Sequence, residues 1–132
     1  MNLIKLQVKT NNQQYPIIIG DGVANKIGKF LKENSINFNQ CLLVIDNQIP
    51  KKLINKILFL LPKKNITTFF FKSSELNKNQ QSVNKIISIL LKKNFNRNDC
   101  LISIGGGITG DVSSFSASIF KRGLKFVNIP TT

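Results

Sequence analysis

The segment GGGITGDVSSFSASIFKRGLKFVNIPTT, Gly105 to Thr132, concentrates residue types that bind anions. Three consecutive glycines follow the apolar run LISI, and Gly105, Gly107 and Gly110 stand in G-x-G-x-x-G spacing. Glycines between a strand and a helix leave backbone N–H groups free beside the positive end of the helix dipole. The missing side chains also let a phosphate approach the main chain. Asp111 is expected at the head of that helix, where the dipole favours a carboxylate. A carboxylate beside a pyrophosphate would repel it, so a ligand role for Asp111 asks for a neutral donor such as a ribose hydroxyl. Lys121-Arg122 ahead of Gly123 offers a planar bidentate cation, and Thr131-Thr132 after Pro130 offers two hydroxyls.

The spacing alone is a weak signal. The glycines follow about the fifth strand rather than the first, and no acidic residue stands ~20 residues downstream to take a ribose. No Gly-Lys-Ser/Thr follows, which excludes a P-loop. Both a tight glycine turn and a pyrophosphate contact therefore stay open. For Asp111, capping alone and capping with ligand contact are equally open, and Arg122 also reads as part of a basic surface pair.

Hydrophobic periodicity gives the elements that must position these residues. Ile4, Leu6 and Val8 alternate as in a half-buried strand, and Tyr15 to Ile19 is expected to pair with it across TNNQQ. Val23, Ile27, Phe30 and Leu31 mark a helix face. Residues 41–45, 66–71, 101–104 and 125–129 read as strands. Helices are expected over 53–61, ended by Pro62, over 83–91, and from about Gly110 to Ile119. The order βαβαβαβαβ predicts an α/β, Rossmann-like parallel sheet with helices on both faces, preceded by a β-hairpin. Such sheets bind ligands beyond the carboxyl ends of their strands. Four segments should share that edge: Asp46-Asn47, Lys72 to Lys78, GGGITGD and Pro130-Thr131-Thr132.

Composition narrows the chemistry. The 132 residues suit one domain, 1–132, whose core needs no disulfide or metal. Cys41 and Cys100 each open an apolar run, the setting of buried free thiols. Histidine is absent, so these residues supply no imidazole to a metal, a general base or a triad. The net charge of +13 comes from scattered lysines such as Lys51/Lys52, Lys63/Lys64 and Lys92/Lys93, with two arginines, Arg97 and Arg122. With no recognition helix, zinc finger or aromatic-basic interleaving, the charge reads as solvated surface first and as a match to an anionic small substrate second, and no nucleic-acid partner is expected. No apolar run approaches the ~20 residues of a membrane span, and MNLIKLQVKT lacks the layout of a secretory signal. The expected location is cytoplasmic, with no membrane partner.

The terminal segment closely resembles the GGG-x-x-GD…RG…PTT stretch of 3-dehydroquinate synthases. YPIIIGDGV, LLVIDNQI and SSELNKN resemble three further family segments in the same order. The resemblance runs over the whole 132 residues and corresponds to the family's N-terminal domain. It implies an enzyme that converts 3-deoxy-D-arabino-heptulosonate 7-phosphate, a sugar phosphate, to 3-dehydroquinate and phosphate in the shikimate pathway. It also implies NAD as a cofactor without net redox change, a divalent metal (zinc or cobalt), and a homodimer.

Carried over by position, the resemblance implies that NAD is contacted by Asp46, Asn47, Glu75, Lys78, Gly106, Gly107, Gly110, Asp111, Thr131 and Thr132. Arg122 would reach the phosphate of substrate bound in a neighbouring subunit. Two departures stand out. SSELNK lacks the glycine of the family's Asp-Gly-Glu-x-x-Lys loop, and the family's metal ligands, one Glu and two His, belong to its C-terminal domain. The chain therefore holds no metal ligand or catalytic residue of its own and is expected to be inactive alone, as a truncation, a fragment, or half of an enzyme split over two chains. The alternatives are a fragment of an iron- or zinc-dependent polyol dehydrogenase and a non-catalytic remnant.

Overall fold

A computed structural model describes residues 3–62 and 65–132. Lys63 and Lys64, expected above as surface lysines, and the first two residues of the N-terminal segment lie outside them.

The chain opens with β1 (Ile4–Lys9) and β2 (Gln14–Ile19), an antiparallel pair in which Ile4 faces Ile19. The turn is closed by Thr10 N donating to Gln13 O at 2.7 Å. The hairpin forms where alternation predicts it, but not with the expected half-buried face: Ile4, Leu6, Tyr15, Ile17 and Ile19 are all exposed. Alternation fixes which side chains share a face, not whether a covering layer exists. The hairpin also stands apart from the main sheet.

A single 3-10 turn over Val23–Lys26 leads into α1 (Ile27–Glu33), so the expected helix starts later as an α-helix. Then follow β3 (Gln40–Asp46), α2 (Lys51–Leu60), β4 (Asn65–Phe71), α3 (Gln80–Lys92), β5 (Cys100–Gly105), α4 (Gly107–Ile119) and β6 (Lys125–Pro130). Leu61 is extended ahead of Pro62, which stops α2 as expected. Asn79 caps α3, its Oδ1 accepting from Ser82 N at 2.9 Å.

The four later strands form a parallel sheet in the order β4-β3-β5-β6. One face of β3 and β5 packs Leu43, Ile45, Ile102 and Ile104 against Ile27 and Leu31 of α1 and Ile54 and Ile57 of α2. The other packs Leu42, Val44 and Leu101 against Val83, Ile86 and Leu90 of α3 and Val112 and Ala117 of α4. Burial on both faces explains why β3 and β5 read as unbroken apolar runs. From β3 the chain crosses to β4 through α2 on one face, and from β5 to β6 through α4 on the other. The crossovers diverge between β3 and β5, so the switch point lies between Asp46 and Gly105.

Cys41 and Cys100 are register partners, both fully buried and free. The Cys100 thiol and burial push the Cys41 thiol far above its usual range, which suits packing and not redox chemistry. Asp99 is buried at the opposite edge of the sheet, its Oδ1 accepting from Gln40 N at 3.0 Å and its Oδ2 from Asn96 N at 2.9 Å. Among the described residues no helix is long and apolar enough to cross a membrane.

Candidate functional site

The carboxyl edge gathers all four expected segments, because parallel strands end on the same side. After β3, Asp46 folds its carboxylate onto its own turn, Oδ1 accepting from Gln48 N at 3.0 Å, and Asn47 N donates to Phe71 O of β4 at 2.9 Å. That second bond ties the β3 turn to the start of the β4–α3 loop. Asn47 is exposed and Asp46 partly buried.

After β5, Gly105 and Gly106 carry the chain into α4. The helix begins at Gly107, three residues earlier than expected, with Gly110 N donating to Gly106 O at 3.0 Å. The glycines mislead because they serve close approach and not chain breaking. A Cβ on Gly105 would lie 2.8 Å from Thr109 Oγ1 and 3.0 Å from Asp46 Cβ; one on Gly110 would lie 3.2 Å from Asn128 Oδ1. A Cβ on Gly106 would meet Thr132 Cγ2 at 3.3 Å, whereas nothing lies within 4 Å of one on Gly107. Thr109, Gly110, Ser113, Ser116 and Ala117 give α4 a small-residue face that lets it sit tightly on the sheet.

The terminal threonines meet this turn directly. Thr131 N donates to Gly105 O at 2.9 Å, and Thr132 lies against Gly106. Asp111 does not stand in the first turn of α4, so the expected dipole benefit largely lapses. It pairs instead with Lys78, Nζ to Oδ2 at 3.0 Å, which holds the Lys78 amine above its ordinary pKa. The pair bridges the β4–α3 loop to α4 above a groove lined by Val83, Val112 and Phe115. Glu75 opens a short 3-10 turn in that loop and is exposed. The larger cavity, about 380 Å³, opens at the other edge beside Asn37, Asn98 and Lys125, away from these groups.

Asp46, Asn47, Glu75, Lys78, Gly106, Gly107, Gly110, Asp111, Thr131 and Thr132 thus share one edge. Arg122 does not. It follows the far end of α4, and a 13-residue helix is about 20 Å long. Lys121 and Arg122 have φ of 44° and 67°, left-handed values that side-chain-bearing residues seldom adopt, ahead of Gly123 at 114°. The bend is held by Lys121 Nζ donating to Phe95 O and Leu124 N to Ala117 O, each at 2.8 Å.

Sequence reasoning missed Ser103 and Asn128. They are register partners on β5 and β6, Ser103 Oγ donating to Asn128 Oδ1 at 2.6 Å beneath Gly110. A polar residue inside LISI and another inside FVNI were the available signal. It also missed Thr109, whose Oγ1 is buried without a hydrogen-bond partner beside Gly105.

The open space at Gly107 and the unpaired first-turn N–H groups fit a phosphate, and the Asn47, Glu75 and Lys78 loops lie within the same edge for the rest of a nucleotide. A metal does not fit: among the described residues no three His, Cys, Asp or Glu side chains cluster to hold one.

Residues 68–132 match the family model described as 3-dehydroquinate synthase N-terminal. Over all 132 residues the chain is 70% identical to the 3-dehydroquinate synthase of Pelagibacter ubique (strain HTCC1062), covering 36% of that protein. This chain is a relative of the 3-dehydroquinate synthases. It is also 36% identical to the 3-dehydroquinate synthase of Prochlorococcus marinus subsp. pastoris, covering 37% of it. The chain spans about a third of the length of these curated relatives. Its fold matches 98% of the chain to 35% of a 2-deoxy-scyllo-inosose synthase solved with carbaglucose-6-phosphate, NAD+ and Co2+, at a TM-score of 0.85 and 20% identity. A butanol dehydrogenase A from Thermotoga maritima shares the fold less fully, at a TM-score of 0.64 and 18% identity over 85% of the chain and 31% of its own.

Proposed function

We propose that residues 1–132 form the dinucleotide-binding domain of a cytoplasmic 3-dehydroquinate synthase, holding NAD at the carboxyl edge of the parallel sheet. The whole protein would convert 3-deoxy-D-arabino-heptulosonate 7-phosphate to 3-dehydroquinate and phosphate. The observation that carries this reading is the Thr131 N–Gly105 O bond, which joins the glycine turn to the terminal threonines. The relatives reported above support the reaction, and the fold match to an NAD-bound cyclase supports the cofactor.

When bound, the nicotinamide supplies a reversible hydride acceptor. The residues of this chain bind and orient. Backbone N–H groups at Gly106 and Gly107 receive the pyrophosphate at the head of α4. Glu75 accepts from ribose hydroxyls and Asn47 accepts from or donates to them, with Asp46 holding the Asn47 turn in shape. Lys78 offsets the negative charge of Asp111 beside the phosphates, leaving that carboxylate free to accept from a hydroxyl. The Thr131 and Thr132 hydroxyls line the floor of the same turn. The metal that the family uses would take its ligands from residues outside these 132, so no step is assigned to it here.

Arg122 acts across a dimer, on the sugar-phosphate substrate of the partner subunit. Its place at the far end of α4 supports this, as does the left-handed backbone at Lys121 and Arg122, because such strain persists where surroundings impose it and gathers at functional sites. The polyol-dehydrogenase alternative has less support, since the curated relatives reported above are synthases.

Titration of the chain with NADH, followed by nucleotide fluorescence, tests the reading. Saturable binding competed by NAD and by ADP-ribose is expected. No binding of any of the three at millimolar concentration would overturn it. The 132 residues alone, given zinc and substrate, should release no phosphate.

A further inference from the structure

The function above leaves the larger cavity, about 380 Å³, without a role. Because β3 to β6 run parallel, all four enter the sheet at the edge opposite the glycine turn, and the cavity is walled by the segments that lead into them. Ile36, Phe38 and Pro62 supply apolar wall. The side-chain amides of Asn37, Asn39 and Asn98 line the same space and make no hydrogen bond among the described residues. Lys125, the first residue of β6, adds a cation. Its ammonium donates to Asn37 O, which holds it in place and leaves its other two N–H groups available. Among the described residues no carboxylate lines the cavity. Asp99, next to Asn98, is buried, and its oxygens are taken by Gln40 N and Asn96 N.

We propose that this cavity is a second binding site, taking a small organic acid: a flat apolar body that carries one carboxylate. Apolar walls with a few convergent polar groups, in a volume near the lower end of the range for ligand pockets, are what such a site consists of. The Lys125 ammonium matches the single charge of a carboxylate, and the amides beside it can donate to both oxygens. A phosphate, with up to two charges, finds here no arginine fork and no helix N-terminus. Helices α1, α2 and α3 do end toward this edge, and their dipoles work against an anion. That partial charge is screened and falls off within one turn, whereas Lys125 brings a full charge into contact, so the ammonium decides the sign. The net charge of +13 adds attraction at longer range. None of these residues belongs to the nucleotide edge, so the two sites stand or fall separately.

Phenylacetate serves as the probe, added to the isotope-labelled chain and followed by the NMR shifts of backbone amides. Saturable shifts are expected at Asn37, Asn39, Asn98 and Lys125, half-complete at about 1 mM for a molecule of about ten non-hydrogen atoms. Gly106 and Gly107 should not move. Phenylacetamide, the same body without the charge, should bind about tenfold more weakly. Lys125→Gln keeps a donor for Asn37 O and should abolish that preference for the acid. Asn98→Asp puts a like charge in the cavity and should weaken phenylacetate about tenfold. Lys52→Gln, at the far end of α2, should change nothing. The spread of amide signals checks that each variant folds. Equal binding of acid and amide would overturn the proposal, as would a preference that survives Lys125→Gln. Inorganic phosphate that shifts the same amides as strongly would also overturn it, by showing an anion held on a solvated lysine alone. So would a lack of saturation at about twentyfold higher phenylacetate. Shifts confined to Gly106 and Gly107 would move the acid to the nucleotide edge, overturning the second site and leaving the NAD reading intact.

Discussion

Gly107→Ala separates a structural glycine from a ligand-contacting one. Gly107 is the first residue of α4, and a Cβ there would meet nothing within 4 Å. Folding should therefore bear no steric cost, and the better helix propensity of alanine should raise stability by up to ~1 kcal/mol. Binding should move the other way. The new methyl occupies the space through which a phosphate reaches the first-turn N–H groups. Losing one charge-assisted hydrogen bond costs roughly 1.5–3 kcal/mol, which is about 10- to 100-fold in affinity. Urea unfolding and NADH titration on the same preparations read both quantities. A variant at least as stable as the parent, with affinity reduced tenfold or more, is the expected result. If affinity stayed within about twofold of the parent, the glycine turn would not be where the phosphates lie, and the site assignment would fall with it.

Other substitutions probe the frame around that turn. Gly105→Ala should destabilise by about 1–3 kcal/mol in urea, because its Cβ would press on the buried Thr109 and on Asp46. Asp99→Ala strips the acceptor from Gln40 N and Asn96 N at the buried edge and should cost about 2–4 kcal/mol by the same measurement. The Lys78 amine has a raised pKa through Asp111, so what its charge contributes is fully present below 10.5, its ordinary value, and is lost as pH rises through the raised one. NMR titration of that amine should show its pKa fall in Asp111→Asn. The Cys41 thiol should resist a thiol reagent until the chain unfolds, as followed by the rate of labelling in urea.

The βα order and the shared edge were legible because β3, β5 and the amphipathic α3 write their burial into the sequence. Pro62 likewise marked a boundary by its own backbone chemistry, whereas the side-chain cap that Asn79 gives α3 was not read. Three further features were not legible. Gly107 read as a loop residue and Gly110 as the start of the helix, since nothing local says that Asn128 leaves no room for a side chain on Gly110. The Lys78–Asp111 pair joins residues on separate elements, and the spacing of charges in sequence carries no such contact. The hairpin's alternation was read correctly as a strand pattern, but which face meets a covering layer is decided by the tertiary arrangement.

The carboxylate of Asp99 closes a span of 59 residues when it receives Gln40 N. At about 5–20 residues per second of synthesis, β3 leaves the ribosome roughly 3–12 s before β5 exists to cover its flank. During that interval the run CLLVI has β4 on one side and an open, sticky margin on the other. Newborn chains should therefore lean on chaperones or on slow translation at this point, and a variant that delayed β5 further would show its defect as inclusion bodies long before any loss of native stability.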